Sequence, residues 1–279
     1  MELKQKIKKM LLKNNFFQAK YDEYHRKVRE QDFDHRYAIR DTQRIAKLKD
    51  TKNGKRCFII GNGPSLRIED LEKIGNEDSF AVNSIYKIFE KTSWRPRYYV
   101  SQDREVVERV KGDIEKVLHC SEQAFLNSSA LDGFDKKQLC DKLHFFFLNT
   151  RDRDELSNGE NPLFSEDVTE QIYEGSTVTY ACIQFAVYMG YSEIYILGVD
   201  HSYNITQNAD GTIVEDKSVK NYMPGLEVKL ENVPRLDKAT LAYRVARHVC
   251  EEKGIVIKNA TRGGKLEEFE RVNFDSLFW

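Results

Sequence analysis

The sequence predicts an α/β fold: a doubly wound, mostly parallel sheet with helices on both faces. From residue 56 onward, short runs rich in β-branched and aromatic residues alternate with longer runs whose apolar residues recur at helical spacing. The predicted strand 143–148 is nearly all apolar, as expected of a strand covered on both faces. Strands and helices that alternate in this way form parallel sheets, because each helix carries the chain back to the start of the next strand.

The predicted elements follow one another in regular order. Residues 57–60 are too few for a helix and prefer the β conformation, so they begin the series as a buried strand. Helix 176–190 has apolar residues at helical spacing, and we expect it to pack on the sheet. The predicted strands are 57–60, 79–82, 97–101, 123–126, 143–148, 193–197 and 255–258. The predicted helices are 66–74, 103–118, 176–190 and 236–253.

Two polar segments, 149–175 and 201–235, interrupt this alternation. The second contains two prolines and little periodicity. Long loops inside a compact domain commonly have a functional role, so we expect 201–235 to be a lid insertion that closes over one side of a binding site.

The first fifty residues differ from the rest. Residues 1–50 are highly charged and contain no glycine or proline, which predicts a helical N-terminal extension; a turn-like linker then leads to the α/β domain, 56–279. Residues 1–13 have the pattern of a basic amphipathic helix. Two interpretations stay open: peripheral contact with an anionic membrane or a partner, and a solvated helix packed on the domain.

Composition narrows the classes of protein. The formal net charge of −1 gives no global field that would attract nucleic acid, so we expect no nucleic-acid partner. The 5 cysteines are scattered without a C-x-x-C pair, which favours a reducing compartment and argues against a zinc site. We assign no metal ligand among the candidate residues of the favoured function. The sequence shows neither a signal-peptide pattern nor an apolar run of membrane-spanning length. We therefore expect a cytoplasmic protein, with residues 1–13 as its one candidate contact with the inner face of the cell membrane.

The first predicted strand ends in the hexapeptide Gly61-Asn62-Gly63-Pro64-Ser65-Leu66. Gly61 and Gly63 allow a sharp turn and close approach of the backbone to a ligand. Ser65 can cap the helix that follows, and a helix N-terminus favours anions such as phosphate. The turn is neither the G-x-G-x-x-G dinucleotide motif nor a Walker loop, so the sequence predicts an anion site of another kind.

Polar residues follow other predicted strands as well. Ligands of open parallel sheets bind at the carboxyl ends of the strands, so these residues should meet at one edge. They are Asn83-Ser84, Ser101-Gln102-Asp103, Gly198-Val199-Asp200-His201-Ser202-Tyr203 and Asn259-Ala260-Thr261. The adjacent Asp200 and His201 are candidates for a catalytic base or its orienting partner. The amides of Asn62 and Asn83 suit a ribose hydroxyl or a base edge, although each also suits an Asx turn.

These motifs, between Arg56 and Arg271, resemble those of a known group of proteins. The hexapeptide is similar to that of the bacterial family-42 sialyltransferases. The 198–203 and 259–261 motifs look more like those of the motility-associated flagellin glycosyltransferases and the MptE-like pterin diphosphokinases. The resemblance implies a Rossmann-like nucleotide-binding domain, a GT-A-like sialyltransferase variant. It also implies that Tyr203 assists a leaving phosphate. The nucleotide-binding residues it implies are Gly61, Asn62, Gly63, Pro64, Ser65, Asn83, Ser84, Gly175, Ser176, Thr177 and Tyr203.

The chain departs from the sialyltransferases at one position of consequence. Those enzymes place a catalytic histidine just before the penultimate helix, whereas residues 232–237 here contain none. The general base therefore stays open among Asp200, His201 and Asp103.

Three functions are consistent with these residues. The first is a glycosyltransferase that moves a sugar, foremost a CMP-linked sialic or nonulosonic acid, to a glycan or protein acceptor in surface-glycan biosynthesis. It requires no cofactor beyond the CMP-sugar donor. The second is an MptE-like diphosphokinase that uses ATP and Mg²⁺, with Asp103 and Asp200 supplying carboxylates to the metal. The third is a non-catalytic nucleotide-binding protein.

Overall fold

The computed structural model describes residues 40–135, 138–150, 162–227 and 233–278. Twelve strands occur in these ranges. In chain order they are β1 (Arg56–Ile60), β2 (Ser79–Val82), β3 (Tyr98–Ser101), β4 (Gln123–Asn127), β5 (Leu143–Phe146), β6 (Leu148–Asn149), β7 (Ile172–Tyr173), β8 (Glu193–Leu197), β9 (Ile205–Gln207), β10 (Ile213–Glu215), β11 (Val256–Asn259) and β12 (Glu270–Arg271). The α-helices are α1 (Thr42–Ala46), α2 (Ile68–Ile74), α3 (Arg104–Lys111), α4 (Ile114–Cys120), α5 (Val178–Met189) and α6 (Leu236–Glu252).

Eight of these strands form one sheet in the order β12-β11-β8-β1-β2-β3-β4-β5. Every neighbouring pair in it is parallel. The chain first builds outward from β1 to β5 and then returns to place β8 on the other side of β1. The strand order reverses between β1 and β8, which makes their carboxyl ends the topological switch point. The predicted doubly wound parallel sheet is confirmed.

Helices cover both faces of the sheet, and β1 shows how its residues divide between them. Cys57 and Ile59 pack in the hydrophobic cluster that contains residues of α5 and α6. Phe58 and Ile60 pack in the cluster that contains residues of α2, α3 and α4. All four side chains are 0% exposed, because alternate residues of a strand point to opposite faces.

Helix α5 lies against the centre of the sheet and fixes the position of the turn before it. The Thr177 hydroxyl accepts a hydrogen bond from the backbone N–H of Thr179, and Gly190 ends the helix in the left-handed conformation. Ala181, Cys182 and Phe185 are completely buried. The N-terminus of α5 is thereby held at the carboxyl edge of the sheet.

Several element predictions are corrected by the structure. Predicted helix 103–118 is two helices, α3 and α4, which separate near Gly112. Predicted strand 143–148 divides into β5 and β6, and β6 leaves the main sheet to pair with β7. Ser65 does not cap α2, since the N-cap position is Arg67 and no side chain caps the helix there. The 201–235 insertion contains an antiparallel hairpin, β9–β10, that its weak periodicity did not predict.

The start of the α/β unit also lies earlier than the sequence suggested, at Arg40. Ile45 is fully buried in the α5–α6 cluster, and the backbone N–H of Asp41 donates to the Phe145 carbonyl at 2.7 Å. Residues 40–50, which we had assigned to the extension, therefore pack on the sheet. Residues 1–39, with the amphipathic pattern of residues 1–13, lie outside the described ranges. Within those ranges, no helix is both long enough and apolar enough to span a bilayer.

Candidate functional site

A cavity of about 540 Å³ lies at the carboxyl edge of the sheet, at the switch point between β1 and β8. This volume is in the range of roughly 300–1,000 Å³ that is usual for small-molecule sites. The candidate residues that line it are Gly61, Asn62, Gly63, Asn83, Ser84, Asp103, Ser176, Thr177, Asp200, His201 and Tyr203. Pro64, Ser65 and Gly175 are candidates that do not line it. The structure thus brings together most of the residues that the strand ends pointed to.

The glycine turn after β1 is shaped by its contact with the loop after β8. A side-chain carbon at Gly61 would overlap the Gly198 carbonyl, and one at Gly63 would overlap the Asp200 carboxylate. The backbone N–H of Gly63 donates to the Gly198 carbonyl at 2.8 Å. The two glycines therefore allow the ends of β1 and β8 to approach, and they place Asp200 directly on the turn.

Asp200 is half-buried beside this turn. Its Oδ2 accepts hydrogen bonds from the Ser65 hydroxyl at 2.8 Å and, more weakly, from the Ser65 backbone N–H at 3.4 Å. No cation among the described residues pairs with this carboxylate. Burial raises its pKa, and the hydrogen bonds from Ser65 offset only part of that effect. Ser65 thus contributes to the site by holding Asp200, although it does not face the cavity.

His201 is oriented by helix α6. Its Nε2 lies 2.8 Å from the Thr240 hydroxyl, and its ring meets the Tyr243 ring edge-to-face at 5.6 Å. Burial lowers the pKa of His201 against the opposing effect of Glu268, so the imidazole is neutral near pH 7. A neutral imidazole can accept a proton.

Tyr203, the next candidate along this loop, also lines the cavity. Its hydroxyl makes no hydrogen bond to another described residue. Burial raises the pKa of this hydroxyl, so it stays protonated at neutral pH and can donate a hydrogen bond.

The two candidate asparagines are partly committed to the protein itself. Asn62 Nδ2 donates to the Val82 carbonyl at 3.0 Å, which links the ends of β1 and β2. Asn83 Oδ1 accepts from the Ser101 hydroxyl at 3.2 Å, and the Asn83 carbonyl accepts from the Tyr99 hydroxyl. Both side chains are therefore preorganised at the cavity wall.

The turn before α5 combines a helix N-terminus with two consecutive left-handed residues, Gly175 at φ 54° and Ser176 at φ 55°. A side-chain carbon at Gly175 would overlap the Tyr180 ring, so the turn requires glycine there. The Thr177 hydroxyl lies 3.2 Å from the Tyr243 hydroxyl. The dipole of this twelve-residue helix favours an anion at the turn.

Backbone strain concentrates around the cavity. Asn83, Ser176 and His201 have φ values of 51°, 55° and 51°, in the left-handed region that favours glycine. Asp50 is the other described non-glycine residue with positive φ, and it does not line the cavity. Strain of this kind persists where a site needs a fixed geometry.

Asp103 has a structural role that the sequence did not predict. Its Oδ1 caps α3 by accepting from the backbone N–H groups of Glu105 and Val106, at 3.0 and 3.3 Å. Burial, and then a hydrogen bond with the Glu105 side chain, raise the pKa of Asp103. The residue lines the cavity as well as capping the helix.

Sequence reasoning missed several cavity residues, most of them charged. Lys238 is 9% exposed although it is a lysine, and Arg235 forms a two-point ion pair with Asp237. The missed charged and amide residues are Lys87, Arg109, Glu174, Asn221, Arg235 and Lys238. One signal was available: Lys238 precedes Ala239 and lies among the core-facing positions of the predicted helix 236–253. A charged residue at such a position indicates that this part of the helix faces a polar cavity and not only the hydrophobic core.

The described parts of the insertion, residues 201–227 and 233–235, contribute one wall of the cavity and are fixed to the strand ends. The backbone N–H of Met223 donates to the Asn62 carbonyl at 2.9 Å, and the Ser84 hydroxyl donates to the Leu226 carbonyl at 3.2 Å. Tyr222 and Pro234 line the cavity. Closure of this segment as a lid stays a prediction.

Known structures similar to this chain include two glycosyltransferases. The MAf glycosyltransferase from Magnetospirillum magneticum AMB-1 is 15% identical, with a TM-score of 0.48 over 94% of this chain and 43% of that one. The sialyltransferase CstII from Campylobacter jejuni, in complex with cytidine-5'-monophosphate, is 16% identical, with a TM-score of 0.46 over 79% of this chain and 86% of that one. This chain thus spans less than half of the MAf protein.

A comparison with curated proteins gives no match. The family model described as 6-hydroxymethylpterin diphosphokinase MptE-like matches residues 34–206, which is more than half of the chain. The matched region includes the glycine turn, the polar ends of β2 and β3, and the Asp200–His201 pair. The chain belongs to the MptE-like family.

Proposed function

We propose that this protein is a transferase that binds a nucleotide-activated donor in the cavity at the switch point. One observation carries this proposal: the glycine turn, the α5 N-terminus and the Asp200–His201 pair line or adjoin a single cavity. The first two favour phosphate, and the third supplies groups that can accept a proton. A site with these parts can hold a phosphate leaving group and activate a nucleophile.

The specific reaction we propose is glycosyl transfer from a CMP-linked sialic or nonulosonic acid to a hydroxyl of a glycan or glycoprotein. The choice of CMP rests on the resemblance of residues 61–66 to the sialyltransferase hexapeptide. The acceptor hydroxyl attacks the anomeric carbon, the bond from that carbon to the phosphate oxygen breaks, and CMP leaves. The proton of the hydroxyl passes to a base of the protein.

We assign the base role to Asp200. Its position is fixed by Ser65 and by the glycine turn, and its raised pKa makes the ionised carboxylate a stronger base than an exposed aspartate. His201 is bonded to Thr240 and orients the same loop. The α5 N-terminus, Tyr203 and the buried Lys238 stabilise the charge of the leaving phosphate. We place this activity in the cytoplasm, in surface-glycan biosynthesis.

A second candidate is favoured by the family itself. The family description names a diphosphokinase, and such an enzyme would transfer diphosphate from ATP with Mg²⁺. Asp103 and Asp200 would have to supply the metal ligands, but Asp103 Oδ1 caps α3 and Asp200 Oδ2 binds Ser65. One oxygen of each aspartate is thus already engaged by the protein, so we rank this candidate second.

Calorimetry separates the two candidates. CMP and ATP are titrated into the protein, each with Mg²⁺ and with EDTA. We expect CMP to bind equally well in both buffers and more tightly than ATP. Binding of ATP that requires Mg²⁺, without binding of CMP, would establish the diphosphokinase instead. The role of Asp200 as the base is tested with the variant Asp200→Asn. Asp141→Asn is its matched control, because Asp141 is fully exposed and lies outside the cavity lining.

A further inference from the structure

Gln102 lines the cavity at the end of β3 and is 6% exposed. Its side chain and backbone are both held in place. Nε2 donates to the Glu174 carbonyl at 3.2 Å, next to the turn that opens α5, and the Gln102 carbonyl accepts from Asn127 Nδ2 at 2.7 Å. A backbone carbonyl can only accept a hydrogen bond, so the amide orientation is determined: nitrogen faces Glu174 and oxygen faces away.

The oxygen that remains, Gln102 Oε1, is buried and has no hydrogen-bond partner among the described residues. An unpaired buried carbonyl is unfavourable, and an N–H or O–H group of a ligand would relieve it. A phosphate or carboxylate oxygen would not, because it can only accept.

Asn62 repeats this arrangement two strands away. Its Nδ2 faces the Val82 carbonyl, and its Oδ1 is buried without a partner. Since β2 lies between β1 and β3, the two amide oxygens come from strands about 10 Å apart. Two residues of the cavity wall therefore carry an unpaired acceptor oxygen, in addition to the turn at the α5 N-terminus.

An unpaired oxygen alone does not identify a ligand contact. Gln123, the first residue of β4, also has an unpaired buried Oε1, yet it lies at the opposite, amino edge of the sheet and outside the cavity lining. Gln102 differs because it lines the cavity and adjoins the anion-binding turn. Gln123 is consequently a matched control of the same residue type.

We infer that Gln102 is a specificity-determining residue that accepts a hydrogen bond from an N–H or O–H group of the donor substrate. This inference rests on the proposed function. The ligand group has two possible sources: the amino group of the nucleobase, or a hydroxyl or amide N–H of the transferred sugar. Both present the same chemistry to the oxygen, and a site built to accept such a bond discriminates against ligands that lack it.

Affinity ratios in the wild-type protein, Gln102→Met and Gln123→Met test the inference. The probes are CMP, UMP, which lacks the amino group, and the donor analogue CMP-3FNeuAc. In the wild type, we expect one of two affinity differences of about tenfold. Either CMP binds more tightly than UMP, or the analogue binds more tightly than CMP. The ratio that is favoured identifies the source of the bond. It should fall toward one in Gln102→Met and stay unchanged in Gln123→Met.

The outcomes are distinguishable. Wild-type protein that binds none of these probes would overturn the proposed function, and this inference with it. Wild-type protein that binds CMP while Gln102→Met retains both ratios would overturn the inference alone. If Gln102→Met does not fold, the wild-type ratios still decide: values near one for both pairs mean that no donor group of the ligand meets Gln102.

Discussion

Two partly buried aspartates at opposite edges of the sheet have opposite surroundings. Asp78, just before β2 at the amino edge, accepts a hydrogen bond from the Tyr191 hydroxyl at 2.6 Å and pairs with Lys52 and Arg97. Asp200, after β8 at the carboxyl edge, is bonded to the hydroxyl and backbone of Ser65 and to no described cation.

Their pKa values differ accordingly. Burial raises the pKa of both carboxyls. At Asp78 the bonds from Tyr191 and Lys52, together with the charges of Lys52 and Arg97, outweigh burial, and the pKa falls below its ordinary value. At Asp200 the bonds from Ser65 do not, and the pKa is raised. The difference separates a carboxylate that stabilises the fold from one held in a costly ionised state beside a cavity.

The largest expected effect is on catalysis. Asp200→Asn removes the proposed base while it keeps the shape of the side chain, so the transfer rate from a CMP-sugar should fall by about 10²–10⁴-fold. CMP affinity should stay nearly constant, because a base acts on the acceptor rather than on the nucleotide. The measurements are transfer kinetics and CMP calorimetry on the same preparation.

His201→Ala provides the contrast for this prediction. If His201 orients the loop, its loss lowers both rate and affinity moderately. If His201→Ala instead loses the rate at constant affinity and Asp200→Asn does not, the two roles are exchanged. Full activity in both variants would remove the reaction from this end of the cavity.

The next effect is on stability. Asp78→Asn should lower the free energy of unfolding by roughly 3 kcal/mol, because Lys52 loses the charge that compensates it at a mostly buried position, whereas Arg97 keeps Glu122. Urea denaturation measures this loss. Asp200→Asn should show no comparable loss, and equal destabilisation of the two variants would contradict the comparison.

The sequence alone predicted the position of Asp200 better than its surroundings. The series of parallel strands could be predicted because most strands of the main sheet are short, largely apolar runs, and β2 and β8 match their predicted bounds. Asp200 was identified because it follows such a strand. Its bond to Ser65 could not be foreseen, since it joins residues 135 positions apart. The ion pairs of Asp78 could not be foreseen either, because one partner, Lys52, lies in the turn-like segment before the predicted α/β domain.

The shortest strands and the charged residues of the cavity were not predicted, for a related reason. Strands β6, β7 and β12 have two residues each, too few for any period to show. Lys238 lies in a helix whose other buried residues are apolar, so its location in a cavity wall depends on the tertiary packing of α6.

The pH dependence of stability sharpens the comparison further. A carboxyl whose pKa is lowered by folding stabilises the protein above its unfolded pKa of about 3.9, and this contribution is lost as pH falls through the folded value. A carboxyl whose pKa is raised acts in the opposite sense: it destabilises the protein as pH rises from about 3.9 through the folded value. Asp78 is the first case and Asp200 the second.

Asp200→Asn should therefore raise the melting temperature at pH 7, and the gain should vanish toward pH 4. Calorimetric melting from pH 4 to pH 8 checks this. A gain that is independent of pH would show that the asparagine is stabilising for a reason other than charge.

The smallest effects concern the backbone at the two edges. Asn83 and Ser176, at the cavity, and Asp50, in the turn that leads to Lys52, all have φ near 55°. Glycine adopts this conformation without strain but has more freedom to lose on folding. Replacing any of these three residues by glycine should therefore change the free energy of unfolding by no more than about 1 kcal/mol. Asn83→Gly and Ser176→Gly should nevertheless weaken CMP binding several-fold, because the fixed geometry of the cavity wall is relaxed and, in Asn83→Gly, the amide at that wall is lost. Asp50→Gly, exposed and outside the cavity, should leave CMP binding unchanged.

Denaturation of the three variants gives the free energy of unfolding, and calorimetry gives the CMP affinity. Equal CMP affinity in all three would mean that the left-handed residues of the cavity serve the fold of the loops and not the ligand.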